Sequence, residues 1–326
     1  MSAYTIIVSD TALLQRVCGT NDSNLKLIES FLGVPVFARG NELSLGEAAP
    51  ETEQQFNFII NRILDEIDAE GPQVADRDLI QSILNQGNEG RGDFSSSEDR
   101  RFFSQCSITI PGGVRKVYPR TKGQAKLIQA MRNNDMVFAT GPAGSGKTFL
   151  AVAEALRLVL SHQKSSIILT RPVVEAGESL GYLPGALEEK INPYMRPLYD
   201  SMNAVLPKET VRRMTETGLV ETAPLAYMRG RTLNNAVLIL DEAQNTTKEQ
   251  MKMFLTRMGE GSKIFVTGDV TQIDLPHRVP SGLVHALSVL ESVQGIAVEN
   301  LCAEDVVRGE LVKRIIQAYE KDEENE

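Results

Sequence analysis

The chain has 326 residues, 42% hydrophobic and 24% charged, with a formal net charge of −9. That composition describes a globular protein with a sizeable core and excludes fibrous and disordered classes, and no apolar run approaches the ~20 residues of a membrane span. The acid is uneven: residues 1–100 hold 7 Lys/Arg against 17 Asp/Glu, whereas 101–319 stands at +5, so a basic surface on the larger part is neither demanded nor forbidden.

Met1 to Asp10 has no basic n-region and only a three-residue apolar core, which argues against a signal peptide. Cys18, Cys106 and Cys302 are odd in number and lack ligand spacing, and so do His162, His277 and His285. A reduced cytoplasmic protein without disulfides or structural zinc is the expectation. Asn21-Asp-Ser-Asn24 offers helix N-caps before Leu25, Ile28 and Leu32 at helical spacing. Val34 to Arg39, the turn Gly40-Asn41 and Glu42 to Leu45 read as a hairpin. A helix from about Glu51 to Asp68 places Phe56, Ile59, Ile60, Ile63, Leu64 and Ile67 on one face. Residues 86–100, rich in Gly and Ser with no apolar period, have the composition of a linker. The organisation is therefore a small domain over 1–85, the linker 86–100, a larger domain over 101–319 and an acidic tail over 320–326.

In the larger domain strand and helix signals alternate. Strands are expected at Met136–Thr140, Ser166–Thr170, Val237–Leu240, Ile264–Thr267 and Ile296–Glu299, and helices at Lys147–Leu160, Thr247–Met258, Leu283–Leu290 and Asp305–Tyr319. Such alternation predicts an α/β fold, a parallel sheet with helices on both faces.

Between the first strand and its helix lies Gly141-Pro142-Ala143-Gly144-Ser145-Gly146-Lys147-Thr148, which matches G-x-x-x-x-G-K-[ST] in the context that motif requires. Glycines let backbone N–H groups converge on phosphates at a helix N-terminus. Lys147 would bridge the β- and γ-phosphates of ATP and Thr148 would ligate Mg²⁺. About 95 residues on, the apolar strand Val237–Leu240 ends in Asp241-Glu242. Asp-Glu after a strand is by itself a common helix cap; with the phosphate loop upstream, Asp241 is read as part of the metal shell and Glu242 as the base that activates water.

Phe265-Val-Thr-Gly268 ends in Asp269 and Gln272, placed to sense a γ-phosphate. Gln124, ahead of the first strand, carries an amide suited to the adenine edge, against the plainer reading of a solvated glutamine. Arg229 and Arg231 lie in a Gly-containing loop before the Asp241 strand, and Arg308 opens the closing helix. Each is a candidate for transition-state charge or for RNA phosphate, with a surface salt bridge as the alternative.

At these residues the chain resembles the PhoH family of ATPases, related to the core of superfamily 1 helicases. The resemblance runs over about 101–319. It rests on the phosphate loop, Thr170-Arg-Pro to Gly185, Ala226-Tyr-Met-Arg-Gly-Arg-Thr232, Leu240-Asp-Glu-Ala-Gln-Asn245, Thr267-Gly-Asp-Val-Thr-Gln272 and Asp305-Val-Val-Arg308. Gly309 stands where members usually carry His. The resemblance implies a RecA-like P-loop domain preceded by a small α+β, KH-like domain, in which Gly19-Thr-Asn-Asp22 replaces the GXXG clamp. It also implies a cytoplasmic ATPase linked to RNA metabolism, a ring of subunits, and in some bacteria work beside an endoribonuclease.

Length agrees with assembly. Only 52 residues follow Asp274, fewer than the ~100 a second RecA-like domain needs, so a neighbouring subunit is expected to supply a wall of the site and an arginine. Three function classes remain at this stage. The first is an RNA-directed ATPase of the helicase or remodeller kind. The second is an ATP-gated oligomeric module that recruits an endoribonuclease with slow turnover. The third is a small-molecule kinase, disfavoured because Asp-Glu with Gly-Asp-x-x-Gln suits water activation.

Overall fold

A computed structural model describes residues 4–70, 77–88, 105–114, 116–172, 187–276 and 278–307. The chain divides into two compact units, residues 1–107 with 118–121, and residues 108–117 with 122–326.

In the first unit the order is β1 (Thr5–Ile7), α1 (Thr11–Cys18), α2 (Ser23–Leu32), β2 (Val36–Arg39), β3 (Glu42–Leu45), α3 (Pro50–Glu70) and α4 (Arg77–Asn88). The three strands form an antiparallel sheet in the order β1-β3-β2. Asp10 caps α1 by accepting from the Leu13 N–H at 2.6 Å. Proline opens α3, where its missing N–H costs no helical bond. One face of α3 then delivers Phe56, Ile59, Ile60, Ile63 and Ile67 to a core shared with Leu43 and Leu45; Leu64, expected with them, packs at its margin. Gly19-Thr-Asn-Asp22 falls between α1 and α2, as a single 3-10 turn over Thr20–Asp22. Helix α4 continues to Asn88, past the expected start of the linker at 86, because Leu79, Ile80, Ile83 and Leu84 have a core to enter. The remainder of that linker lies outside the described residues, apart from what precedes 89.

The second unit is built on a six-stranded parallel sheet. Its elements are α5 (Lys122–Asn133), β4 (Met136–Thr140), α6 (Lys147–Leu160), β5 (Ser166–Thr170), α7 (Leu187–Asn203), α8 (Lys208–Glu216), β6 (Val220–Thr222), β7 (Ala236–Leu240), α9 (Lys248–Leu255), β8 (Lys263–Gly268), α10 (Gly282–Leu290) and β9 (Ile296–Asn300). The strand order is β6-β5-β7-β8-β4-β9. All five residues of β7, Ala-Val-Leu-Ile-Leu, are buried, as a central strand covered on both faces requires. Strand β8 lies between the phosphate-loop strand β4 and the acidic strand β7, and it brings the end of all three to one edge.

Two expectations change here. The closing helix does not begin at Asp305. Residues Ala303–Asp305 form one 3-10 turn whose end, Val306, is extended; the turn begins at Cys302, whose N–H donates to the Asp305 carboxylate at 2.8 Å as in a capping box. Arg308 and the rest of that helix lie outside the described residues. The edge strand β6 and the helices α7 and α8 add to the predicted set. Among the described residues no helix is long and apolar enough to cross a membrane.

Candidate functional site

Register places the site. Thr170 pairs with Leu240, Leu240 with Val266, and Val266 with Phe138, so β5, β7, β8 and β4 finish within a few residues of one line. The next residues of each strand are Arg171, Asp241, Asp269 and Gly141. Parallel sheets bind ligands beyond this carboxyl edge, and a cavity of about 290 Å³ lies there.

Backbone geometry makes the phosphate loop depend on glycine at both ends. Gly141 has φ +134°, and a Cβ on it would fall 2.3 Å from the Leu301 carbonyl oxygen. Gly146 has φ +86° and a Cβ there would meet the Gln124 amide at 3.1 Å. The loop is braced from two directions. The Gln124 amide donates to the Ser145 carbonyl at 3.0 Å, and the Val307 N–H donates to the Gly144 carbonyl at 3.0 Å. Gln124 is therefore buried beneath the loop, with its amide turned to the loop's own backbone. The solvated alternative does not describe it.

Lys147 opens α6 and is buried. Its ammonium donates to the carbonyls of Gly141 at 2.6 Å and Pro142 at 2.8 Å. Burial pushes the ammonium below the usual lysine range, while the carboxylates of Asp269, Asp241 and Glu242 pull the other way. One residue on, the Thr148 hydroxyl donates to Asp241 Oδ1 at 2.7 Å, and the Thr267 hydroxyl donates to the same oxygen at 2.7 Å. Burial raises the Asp241 carboxyl above the ordinary aspartate range; Thr267, Arg171 and Thr148 oppose that by favouring the anion, and Glu242 adds to it.

Glu242 adopts a left-handed backbone, φ 53° and ψ 39°, uncommon for a residue with a Cβ and typical of constrained functional positions. Glu242 lines the cavity. Gln244 Nε2 donates to Glu242 Oε2 at 2.6 Å, and Gln244 Oε1 accepts the Asp269 N–H at 3.0 Å. A buried glutamine thus ties the acidic strand to the neighbouring β8 loop. In that loop Asp269 Oδ1 accepts from the Thr271 N–H and hydroxyl, and Oδ2 from the Gln272 amide at 2.9 Å. Gln272 is exposed and lines the cavity.

Two residues of this edge were missed in the sequence. Arg171 lines the cavity and donates to Glu242 Oε1 at 2.8 Å; Gln244 forms the link just described. The signal for Arg171 was available, since an arginine directly after an apolar strand lands on the carboxyl edge of the sheet. Gln244 carried no such signal, because its partners come from β8.

The loop arginines are elsewhere. Arg231 meets both oxygens of Glu221, at 2.5 and 2.7 Å, within its own chain. It is therefore engaged, not projecting outward, and the salt-bridge alternative describes it in this structure. Its carbonyl also accepts from Arg257 at 3.0 Å, which anchors the loop. Arg229 is exposed and enters no ion pair among the described residues. Neither lines the cavity.

The residues present fit a nucleotide with a divalent cation. A hydroxyl and a buried carboxylate at hydrogen-bond distance are the hard oxygen donors that Mg²⁺ takes. Among the described residues no three His, Cys, Asp or Glu side chains cluster as a metal cage.

A family model described as PhoH-like protein matches residues 116–320. A PhoH-like protein of Bacillus subtilis is 46% identical over 303 residues, covering 93% of this chain and 92% of its own. One of Mycobacterium tuberculosis is 44% identical over 320 residues, covering 96% of this chain and 86% of its own. Protein PhoH of Escherichia coli is 42% identical over 243 residues, 70% of this chain and 69% of that one. A Pif1 helicase structure from Candida albicans aligns over 55% of this chain and 39% of that one, at 15% identity and a TM-score of 0.28.

Proposed function

This chain belongs to the PhoH family, and we propose that it is a Mg²⁺-dependent ATPase whose turnover serves RNA metabolism. One observation carries the catalytic part. The Thr148 hydroxyl at the start of α6 and the buried Asp241 carboxylate at the end of β7 meet at 2.7 Å beside Lys147 and Glu242. A phosphate cradle, a cation-binding pair and a candidate base thus share one cavity.

Thr148 and Asp241 would hold the metal, which when bound neutralises phosphate charge. The loop N–H groups and Lys147 would orient the triphosphate, the ammonium exchanging its carbonyl partners for phosphate oxygens. Glu242 would accept a proton from the attacking water. The water oxygen bonds to the γ-phosphorus as the bond to the β–γ bridging oxygen breaks, giving ADP and inorganic phosphate. Asp269 and Gln272, tied to Glu242 through Gln244, would register loss of that phosphate.

The choice of ATP and the link to RNA rest on the resemblance to the family; assembly into a homo-oligomeric ring, with Arg229 as the exposed loop arginine, belongs to the same reading. The alternative of an ATP-gated module with slow turnover, recruiting an endoribonuclease, has one observation in its favour. Both oxygens of Glu242 are engaged, by Arg171 and Gln244, so the base is restrained in this conformation.

ATP turnover with and without single-stranded RNA tests both readings, with Lys147→Ala as control. We expect Mg²⁺-dependent hydrolysis stimulated by RNA and abolished in Lys147→Ala. Turnover indifferent to RNA favours the gated module, and unchanged turnover in Lys147→Ala sinks the ATPase assignment.

A further inference from the structure

Arg171 has a place that no step above uses. It follows β5 directly and its side chain is only 18% exposed. Its donors are divided among three groups: Nη2 to Glu242 Oε1 at 2.8 Å, Nη1 to the Tyr194 carbonyl of α7 at 2.8 Å, and Nε 3.7 Å from Asp241 Oδ2. The guanidinium is thus the counter-charge of both acids at the end of β7, and it lines the same cavity as Lys147 and Thr148. A purely structural ion pair closes its fork on one carboxylate, as Arg231 does on Glu221. Arg171 makes a single hydrogen bond to Glu242 and only a long approach to Asp241.

A planar guanidinium is the side chain best matched to phosphate oxygens. A terminal phosphate in the cavity competes with Glu242 for it with greater charge. A divalent cation at Thr148 and Asp241 acts in the same direction, since it takes over the neutralisation of Asp241 and repels a second cation. A diphosphate ends at its β-phosphate and brings no γ-phosphate to the guanidinium, which leaves the Arg171–Glu242 pair intact.

Resting on the nucleotide reading of this cavity, we propose that Arg171 is the residue by which the site distinguishes a nucleoside triphosphate from a diphosphate. It restrains Glu242 when no terminal phosphate is bound. It passes its guanidinium to that phosphate when one is, which releases Glu242 Oε1 for the water. Gln244 keeps the other oxygen, Oε2, in register throughout. Arg171 is thereby a positioning residue for the base and a binding residue for the γ-phosphate, supplied from within the chain.

The test reads binding, not turnover. Titration calorimetry with Mg²⁺ compares ADP with a non-hydrolysable ATP analogue on the full chain and its variants. Wild type should prefer the analogue. Arg171→Ala should lose that preference, binding the analogue about tenfold more weakly while ADP changes by less than about twofold, the scale of one charge-assisted hydrogen bond. Arg171→Lys should restore part of it. Glu242→Gln removes the carboxylate that competes for the guanidinium, so it should tighten analogue binding, and this gain should vanish in Glu242→Gln/Arg171→Ala. A merely structural arginine would move both nucleotides together and show no such coupling. Retained discrimination in Arg171→Ala, equal weakening of both nucleotides, or a Glu242→Gln effect independent of Arg171 overturns the proposal while leaving the ATPase reading in place. Wild-type protein that binds neither nucleotide overturns that reading and the proposal with it.

Discussion

Of the arginine–carboxylate pairs among the described residues of the second unit, two differ sharply in what surrounds them. Arg231 and Glu221 lie on the loop side of the edge strand β6, with both guanidinium nitrogens on both oxygens of one acid. Arg231 holds the Glu221 carboxyl below the usual glutamate range by that hydrogen bond. Arg171 and Glu242 lie on the carboxyl edge between β5 and β7, with donors and acceptors shared among Tyr194, Gln244 and Asp241. The first pair is satisfied by itself and staples a loop. The second is satisfied only as a member of a set, and a new charged partner can redistribute it. Composition does not separate the two; position at the end of a parallel strand does.

The sharpest way to probe the second pair is Glu242→Gln. It should bind Mg·ATP yet turn it over at least ~10²-fold more slowly, as loss of a general base predicts. Single-turnover kinetics give the rate, and a normal rate puts the base elsewhere.

Asp241→Asn should separate function from stability. Burial raises this carboxyl, so its contribution to folding is fully present below the unfolded pKa and is lost as pH rises through the raised folded one. Burial makes the charged form the costly one, so the asparagine variant should melt no lower than wild type while metal-dependent nucleotide binding is lost. A clear drop in melting temperature at neutral pH would show that the anion stabilises the fold after all.

Arg231→Ala should do least. The pair is partly exposed, so the loss should stay at or below about 1 kcal/mol, with turnover within about twofold. The sign follows from Glu221. Its pKa is depressed, so the stabilisation is present above the ordinary glutamate value and disappears as pH falls through the depressed one. Melting curves of wild type and variant should converge in acid. If this variant binds ATP normally but cannot hydrolyse it, the comparison breaks, and Arg231 leaves Glu221 to act on a neighbouring subunit's nucleotide.

The sequence by itself determined the parts that are written in consecutive residues. The apolar run Val237–Leu240, β-rich, short and ending in polar residues, reads as a strand covered on both faces, and it lies in the central strand β7. The phosphate loop carries its own geometry in Gly141, Gly146 and Lys147, and Asp241-Glu242 is marked by the strand it ends. Helix α8 escaped because only Val211 and Met214 of its nine residues are buried, too few to show a period. Strand β6 escaped because three residues carry no alternation. Tertiary structure alone decided which side chains meet. Arg171 reaches Glu242 across 71 positions of chain and Gln244 reaches the Asp269 N–H across 25, and both contacts exist because β7 lies between β5 and β8. Arg231 carries the same phosphate-binding chemistry as Arg171, but Glu221 stands opposite it and takes both of its terminal nitrogens. A residue's type and local spacing state what it can bind; strand order and register decide which partner is within reach of it first.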